Sequence, residues 1–185
     1  DTLGVVLAAL PGRRPEAIAA LETGLRLAPN SAAAHRDLGL AYSKTPGRMG
    51  DALREYEAAL RLAPGFAEAR NDYGLALAQS GRLDEGIAEF QWALRLEPAL
   101  AGAHNNLGLA WLLSGRLDAA VAELQQALRL DPDFAPAWHA LGMAQAKRGD
   151  LRGAEADFRR ELRLSPGNAP AEQALAGGLG QHAGR

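Results

Sequence analysis

A unit of 34 residues occurs twice in succession between residues 67 and 134. The first copy reads AEARNDYGLALAQSGRLDEGIAEFQWALRLEPAL and the second reads AGAHNNLGLAWLLSGRLDAAVAELQQALRLDPDF. Self-similarity at a period of a few tens of residues is typical of repeat proteins, in which each unit packs only against its neighbours. The repeat therefore restricts the fold to a stack of similar units.

Glycines and prolines recur in step along the whole chain. Both series have intervals of 34 or 35 residues: Gly4, Gly39, Gly74, Gly108 and Gly142, and Pro29, Pro64, Pro98, Pro132 and Pro166. Each proline follows an apolar helical pattern and ends it, because proline lacks an N–H and disfavours helix in the residue before it. These marks divide the chain into repeats at 1–31, 32–66, 67–100, 101–134 and 135–168, and predict a short capping helix and a frayed tail in 169–185.

The sequence pattern of each unit predicts two helices. In the first helix of a unit, apolar or small residues fall at i, i+3, i+4 and i+7, which is one face of an α-helix. Short turns such as 114–116 join the two helices and make the pair antiparallel. The first unit lacks the start of its first helix, and the 32–66 unit has a longer turn at 44–50. The predicted pairs are 2–10 with 15–27, 32–44 with 50–62, 67–79 with 84–96, 101–113 with 118–130, and 135–147 with 152–164.

Composition excludes several classes of function. The net charge is −2, so no basic excess favours nucleic acid or an anionic membrane. No apolar run approaches the ~20 residues of a membrane span. The chain has no cysteine, which excludes disulfides and thiolate chemistry. We expect a soluble protein, in the cytoplasm rather than the periplasm. Because the sequence begins at Asp1 without a methionine, we expect a processed form or a piece of a longer chain.

Large and small residues recur at fixed places in the units. The 135–168 unit has Trp138, Leu141, Gly142, Ala154, Phe158 and Pro166; the 101–134 unit has Leu107, Gly108, Trp111, Ala120, Leu124, Ala127 and Pro132; and the 67–100 unit has Tyr73, Gly74, Leu77, Gly86, Phe90, Ala93 and Pro98. In this pattern the chain resembles the tetratricopeptide repeat family. The resemblance implies an all-α, right-handed superhelical solenoid of about five antiparallel helix pairs. It also implies protein binding rather than catalysis, without a cofactor.

The resemblance further implies that the first helices line a concave face. Positions 2, 5, 9, 12 and 13 of each first helix would point into it. Position 9 is apolar in every unit, and Leu112 and Leu113 widen that stripe. An apolar stripe maintained through five units is typical of an interaction site. The alternative is that these residues only support the helix and bind nothing. The predicted stripe is Val5, Leu40, Leu75, Leu109 and Met143, and position 5 reads Arg36, Asn71, Asn105 and His139.

The polar groove residues favour one binding mode over another. Asn105 and Asn106 resemble the asparagines with which some family members hold the backbone of an extended peptide, since an amide both donates and accepts hydrogen bonds. Another subtype clamps a terminal carboxylate with basic residues of neighbouring first helices. Here Lys44, Lys147 and Arg36 do not occupy equivalent positions of adjacent units, so we do not expect that mode.

The histidines are interpreted as packing or contact residues. His35 and His104 occupy the place of Trp138 in their units, and they lie too far apart in a stacked array to share a metal ion. His139 is predicted to face the groove, without a carboxylate that could make it a catalytic base. We therefore predict neither a metal site nor an enzyme.

Three residues depart from the repeat pattern. Trp92 lies where other units have Thr23, Ala58, Gln126 and Arg160, so it is either an isolated surface aromatic or an anchor for a second interface or homo-oligomer. Gln145 and Glu161 replace large apolar residues or alanine. Since terminal repeats need a wettable outer face, these two residues predict that the array ends here.

The function predicted from these features is a scaffold that binds a peptide or helix of a partner protein in an apolar, mostly uncharged groove. Two alternatives remain open: the substrate-recruiting repeat arm of a larger enzyme, such as a glycosyltransferase, and a self-assembly module. Nucleic acid binding would require basic groove residues, which the sequence lacks.

Overall fold

The computed structural model describes residues 12–176, and this part of the chain forms ten helices and no strand. Every helix predicted within this range is confirmed, with its ends within one residue of the prediction. The helix predicted at 2–10 lies outside the described residues. The helices are α1 Arg14–Leu27, α2 Ala32–Ser43, α3 Met49–Leu62, α4 Ala67–Gln79, α5 Leu83–Leu96, α6 Ala101–Leu113, α7 Leu117–Leu130, α8 Ala135–Arg148, α9 Leu151–Leu164 and α10 Ala169–Ala176.

The chain divides into two compact units, Asp1–Pro98 and Ala99–Arg185. In the first unit, α2 packs against α3 and α4 against α5, and the two first helices α2 and α4 also meet. In the second unit, α6 packs against α7 and α8 against α9, α6 meets α8, and α10 packs on α9. Each unit is therefore built from helix pairs, as the all-α prediction requires.

Glycine ends the first helix of several pairs. Gly81, Gly115 and Gly149 have φ angles of 83°, 74° and 86°. This left-handed backbone costs glycine nothing sterically, which is why the chain can reverse within three residues. The 32–66 unit has the predicted longer turn between α2 and α3, and Gly47 has φ 77° there. The Thr45 hydroxyl ties this turn to α2 by donating to the Ala41 carbonyl at 2.9 Å.

A second set of glycines lets the two helices of a pair approach closely. A Cβ built on Gly108 would lie 2.6 Å from Cγ of Leu124, and one on Gly74 would lie 2.9 Å from Cε1 of Phe90. Real Cβ contacts are longer, so only glycine leaves room for the large side chain of the second helix. The two helices of a pair therefore approach closely in both compact units.

The end of the described chain differs from the sequence-based expectation. Glu161 does not wet an outer face, because it is only 1% exposed. His139 Nδ1 donates to its Oε2 at 2.8 Å, and the Asn168 amide donates to Oε1. Gln145 is half-buried, and its Oε1 is buried. The two polar residues are therefore internal, and α10, whose Ala171 joins an apolar cluster with Ala154 and Phe158, packs beside them.

Candidate functional site

The accessible face of α4 and α6 agrees with the prediction at three of its five positions and is offset at the other two. In α4 one line of exposed and half-buried residues follows i, i+4, i+7 and i+11: Glu68, Asp72, Leu75 and Gln79. In α6 the same spacing gives Gly102, Asn106, Leu109 and Leu113. In α4 and α6 this face uses positions 2, 6, 9 and 13 of the unit, so it shares positions 2, 9 and 13 with the predicted face and differs from it at positions 5 and 12.

The offset removes two predicted residues from the surface of the second unit. Asn105 is 5% exposed, and Leu112 is buried in a cluster formed with residues of α7 and α8. The physical reason is the contact between α6 and α8, which covers the flank of α6 that carries residues 105 and 112. Leu112 is therefore a core residue, and the expectation that it widens an exposed stripe is wrong. Leu113, by contrast, is 74% exposed.

A pocket of about 110 Å³ lies between α2 and α4 in the first unit. Leu40 of α2 and Leu75 of α4 both line it, so two consecutive members of the predicted stripe meet at one place. Tyr56 and Ala76 complete its apolar lining. The polar residues of its rim are Ser43, Lys44, Asp72 and Gln79. We call this the α2–α4 pocket.

Asp72 lines the pocket and forms an ion pair with Arg36. Arg36 Nε donates to its Oδ2 at 2.6 Å, and the Asn71 amide donates to its Oδ1 at 3.4 Å. Burial nevertheless raises the pKa of the Asp72 carboxyl above its ordinary value, against the opposing effect of Arg36. The carboxylate is therefore poorly solvated, although it has an ion-pair partner.

Two further carboxylates surround this ion pair. Burial, followed by the charge of Asp72, raises the pKa of Asp37, and the charge of Glu68 contributes to the raised pKa of Asp72. Asp72 and its two acidic neighbours, Asp37 and Glu68, thus form a group of three carboxylates, with the guanidinium of Arg36 acting on Asp37 and Asp72. The expectation of a mostly uncharged groove is wrong here, because the charged residues Asp72 and Lys44 line the pocket together with its apolar residues.

In the second unit the predicted groove residues are largely packed. Met143 and Leu109 are half-buried against the apolar cluster of α6–α8. His139 is held by Glu161, and its ring lies edge-on to Phe158 with centroids 5.6 Å apart. The prediction that no carboxylate accompanies His139 is therefore wrong. Asn106 accepts a hydrogen bond from the Asn105 amide at 3.3 Å.

The residues in the place of Trp138 make a repeated contact. His35 Nδ1 donates to Glu55 at 2.7 Å, Arg70 Nη1 to Glu89 at 2.8 Å, and His104 Nδ1 to Glu123 at 2.6 Å. Their interpretation as structural residues agrees with these contacts. Within residues 12–176, no group of three His, Asp or Glu side chains is arranged to hold a metal ion.

Trp92 is 46% exposed, as its position in the repeat predicts. The guanidinium of Arg70 lies 4.2 Å from the centre of its ring, and that of Arg95 lies 5.4 Å away. The indole of Trp92 therefore has an intramolecular contact, since the guanidinium of Arg70 stacks on it. The sequence analysis did not predict this contact. The signal was present, since the 67–100 unit has arginine where the neighbouring units have histidine.

None of the helices in the described part of the chain is long and apolar enough to cross a membrane.

Family models agree with the repeat assignment. Models for the TPR or tetratricopeptide repeat match residues 12–45, 74–113, 112–149 and 135–168. No curated protein matches the chain.

Solved structures of repeat proteins are similar to this chain. A thermophilic TPR protein of Thermus thermophilus has 27% identity and a TM-score of 0.80, covering 95% of both chains. MamA has 26% identity and a TM-score of 0.69 over 83% of this chain and 89% of its own. The first TPR of Spaghetti, bound to the HSP90 peptide SRMEEVD, has 23% identity and a TM-score of 0.60 over 62% of this chain and 90% of its own.

The helix pairs and the glycine contacts within them agree with the family models, which match residues 12–45 and 74–168. The chain belongs to the tetratricopeptide repeat family, and its fold is that of a protein-interaction scaffold.

Proposed function

We propose that this chain binds an extended segment of a partner protein at the α2–α4 pocket. The observation that carries the proposal is the convergence of Leu40 and Leu75, from two successive first helices, on one pocket. About 110 Å³ is enough for one aliphatic side chain, and burying such a side chain contributes about 1.5–3 kcal/mol. One apolar residue of the partner is therefore the anchor.

The charges around the pocket favour a basic residue next to that anchor. The three carboxylates Asp37, Glu68 and Asp72 outnumber the two cations Arg36 and Lys44, and the raised pKa values of Asp37 and Asp72 reflect incomplete solvation. A lysine or arginine of the partner would relieve this excess of negative charge. Such charge complementarity contributes mainly to specificity and to the association rate, whereas the apolar anchor supplies most of the affinity.

The fold supports peptide binding in a general way, because the Spaghetti repeat, which is similar in fold, holds a peptide. That peptide, SRMEEVD, is acidic. The α2–α4 pocket does not offer the same chemistry, since Arg36 already pairs with Asp72 at 2.6 Å. We therefore propose a different ligand class for this pocket, an apolar residue followed by a basic one. Asn71, Asn105, Asn106, Leu109, His139 and Met143 stay predictions as partner-binding residues, with Asn105 the least accessible of them.

The test is a selection of peptides on the full chain. A library of random heptapeptides displayed on phage is selected against the immobilised protein, and the enriched sequences are measured again as free fluorescent peptides by anisotropy. We expect enrichment of leucine, isoleucine or methionine next to lysine or arginine. Leu75→Asp should weaken the binding of these peptides at least tenfold, because it removes apolar burial and adds an unfavourable desolvation.

Leu62→Asp is the matched control. Leu62 is 41% exposed and Leu75 is 39% exposed, but Leu62 lies on α3 and does not line the pocket. Its substitution should leave peptide binding within twofold of the wild type. Equal binding by the wild type and Leu75→Asp would contradict the proposed site, whereas enrichment of acidic peptides would contradict the proposed ligand class and leave the site intact.

A further inference from the structure

The terminal helix pair lacks a contact that three other pairs make. The second helices of four pairs each carry a carboxylate at the same place, at intervals of 34 residues. Three of these carboxylates accept a hydrogen bond at 2.6–2.8 Å from a basic residue of the first helix of the same pair. In the fourth pair a tryptophan occupies the place of the basic residue. The pairs are His35 with Glu55, Arg70 with Glu89, and His104 with Glu123, and the corresponding residues of the fourth pair are Trp138 and Asp157.

Trp138 cannot replace the missing cation. An indole has a single donor, and Nε1 of Trp138 already donates to the Pro132 carbonyl at 2.8 Å. Asp157 is 7% exposed, and its Oδ2 is buried with no hydrogen-bond partner in the part of the chain that the structure describes. A buried carboxylate oxygen without a donor is costly when it carries charge.

The other charged groups near this helix pair either pair with other residues or are exposed to solvent. On α9, Arg159 pairs with Glu155, and Arg160 with Asp133. On α8, Arg148 pairs with Asp118 and His139 with Glu161, while Lys147 is exposed. Arg152, Arg163 and Glu172, the last of them on α10, are exposed as well. The charge that does act on Asp157 is the carboxylate of Asp150, which caps α9 by accepting from the Gly153 amide at 2.9 Å.

We infer that Asp157 makes the α8–α9 pair a pH-responsive element, which is well packed while Asp157 carries a proton and loosened when Asp157 ionises. The inference does not depend on the proposed function. It follows from the missing donor, the burial of the carboxylate and the like charge of Asp150.

The direction of the effect follows from proton linkage. Burial, with a smaller effect of Asp150, raises the pKa of Asp157 from 3.8 to about 7. The folded chain therefore binds one more proton than the unfolded chain between these two values. The stability from this group is complete below about pH 4 and is lost as the pH rises through about 7. The charged form thus loosens the terminal pair in the neutral range.

Thermal unfolding of the full chain at pH 5 and pH 8 tests the inference. Asp157→Asn keeps the shape of the side chain and removes its charge. We expect this variant to melt several degrees above the wild type at pH 8 and within about one degree of it at pH 5. Glu123→Gln is the matched control, because its carboxylate has a donor in His104 at 2.6 Å. That variant should melt below the wild type at both pH values.

Two further measurements separate a local effect from a general one. Trp138→Arg supplies the guanidinium found at Arg70, and it should remove the additional loss of stability at pH 8 even if it lowers melting at both pH values. Hydrogen exchange, corrected for the intrinsic effect of pH, should be faster at pH 8 in α8 and α9 of the wild type and not in Asp157→Asn. The inference is overturned if Asp157→Asn shifts the melting temperature equally at pH 5 and pH 8, or if exchange changes uniformly along the chain.

Discussion

Arg70 shows how one residue changes the surroundings of a repeat. It is buried, its Nε and Nη2 donate to the Pro64 carbonyl at 3.1 and 3.0 Å, and its Nη1 donates to Glu89. Trp92 covers the face of the same guanidinium. His35 makes two of these three contacts, with Glu55 and with the carbonyl of Pro29. The third contact of Arg70, which His35 lacks, is the stacking of its guanidinium on the indole of Trp92.

A substitution of Trp92 should therefore weaken the fold slightly. We expect Trp92→Gln to lower the free energy of unfolding by about 0.5–1 kcal/mol, the usual contribution of a partly exposed cation–π pair. Urea denaturation of the wild type, Trp92→Gln, Arg70→His and the double variant measures the coupling between the two residues. Additive effects would show that the stacking contributes nothing. A second interface through Trp92 stays a separate prediction, which sedimentation of the wild type and Trp92→Gln would test.

The ends of the helices were predictable because local chemistry determines them. Glycines with positive φ and prolines mark the turns in every described repeat, and their positions can be read directly from the sequence. The accessible flank of each first helix was not predictable in the same way. Asn105 and Asn106 are adjacent and chemically identical, yet the first is buried and the second is half-buried. Their difference arises from the position of α8, which no pattern within α6 specifies.

Buried polar residues were equally difficult to predict. A glutamate at position 161 suggests a surface, because an isolated carboxylate is rarely buried. Its burial depends on His139, 22 residues away, and on Asn168, which follows α9. The α2–α4 pocket was predictable in part: the apolar stripe identified Leu40 and Leu75, whereas the group of three carboxylates depends on the orientation of α2 and α4.

Two glycines of α6 allow a direct test of helix packing. A Cβ on Gly108 would lie 2.6 Å from Cγ of Leu124, whereas one on Gly102 would meet nothing within 4 Å. Gly108→Ala should therefore lower the free energy of unfolding by about 1–3 kcal/mol through overpacking. Gly102→Ala should raise it by up to about 1 kcal/mol, because alanine favours the helix. Chemical denaturation measures both, and equal effects of the two substitutions would contradict the close packing of α6 and α7.

At the scale of the whole molecule, a repeat protein is stabilised by its helix pairs and by the contacts between neighbours. In this chain α10 covers the α8–α9 pair, since it packs on α9 and contributes Ala171 to the cluster of Ala154 and Phe158. The stability of the terminal pair should therefore depend on a helix of only eight residues.

Ala171 and Gln173 allow this dependence to be measured on one helix. Ala171 is fully buried and Gln173 is exposed, so an aspartate has opposite surroundings at the two positions. Ala171→Asp places a carboxylate without a partner in an apolar cluster, and should cost at least about 1–3 kcal/mol. Gln173→Asp should change the free energy of unfolding by less than about 0.5 kcal/mol. Hydrogen exchange should show that the loss of protection in Ala171→Asp is concentrated in α9 and α8, next to Phe158 and Met143. If both variants keep the protection of the wild type, α10 does not cap the array, and the burial of Glu161 must be maintained by His139 and Asn168 alone.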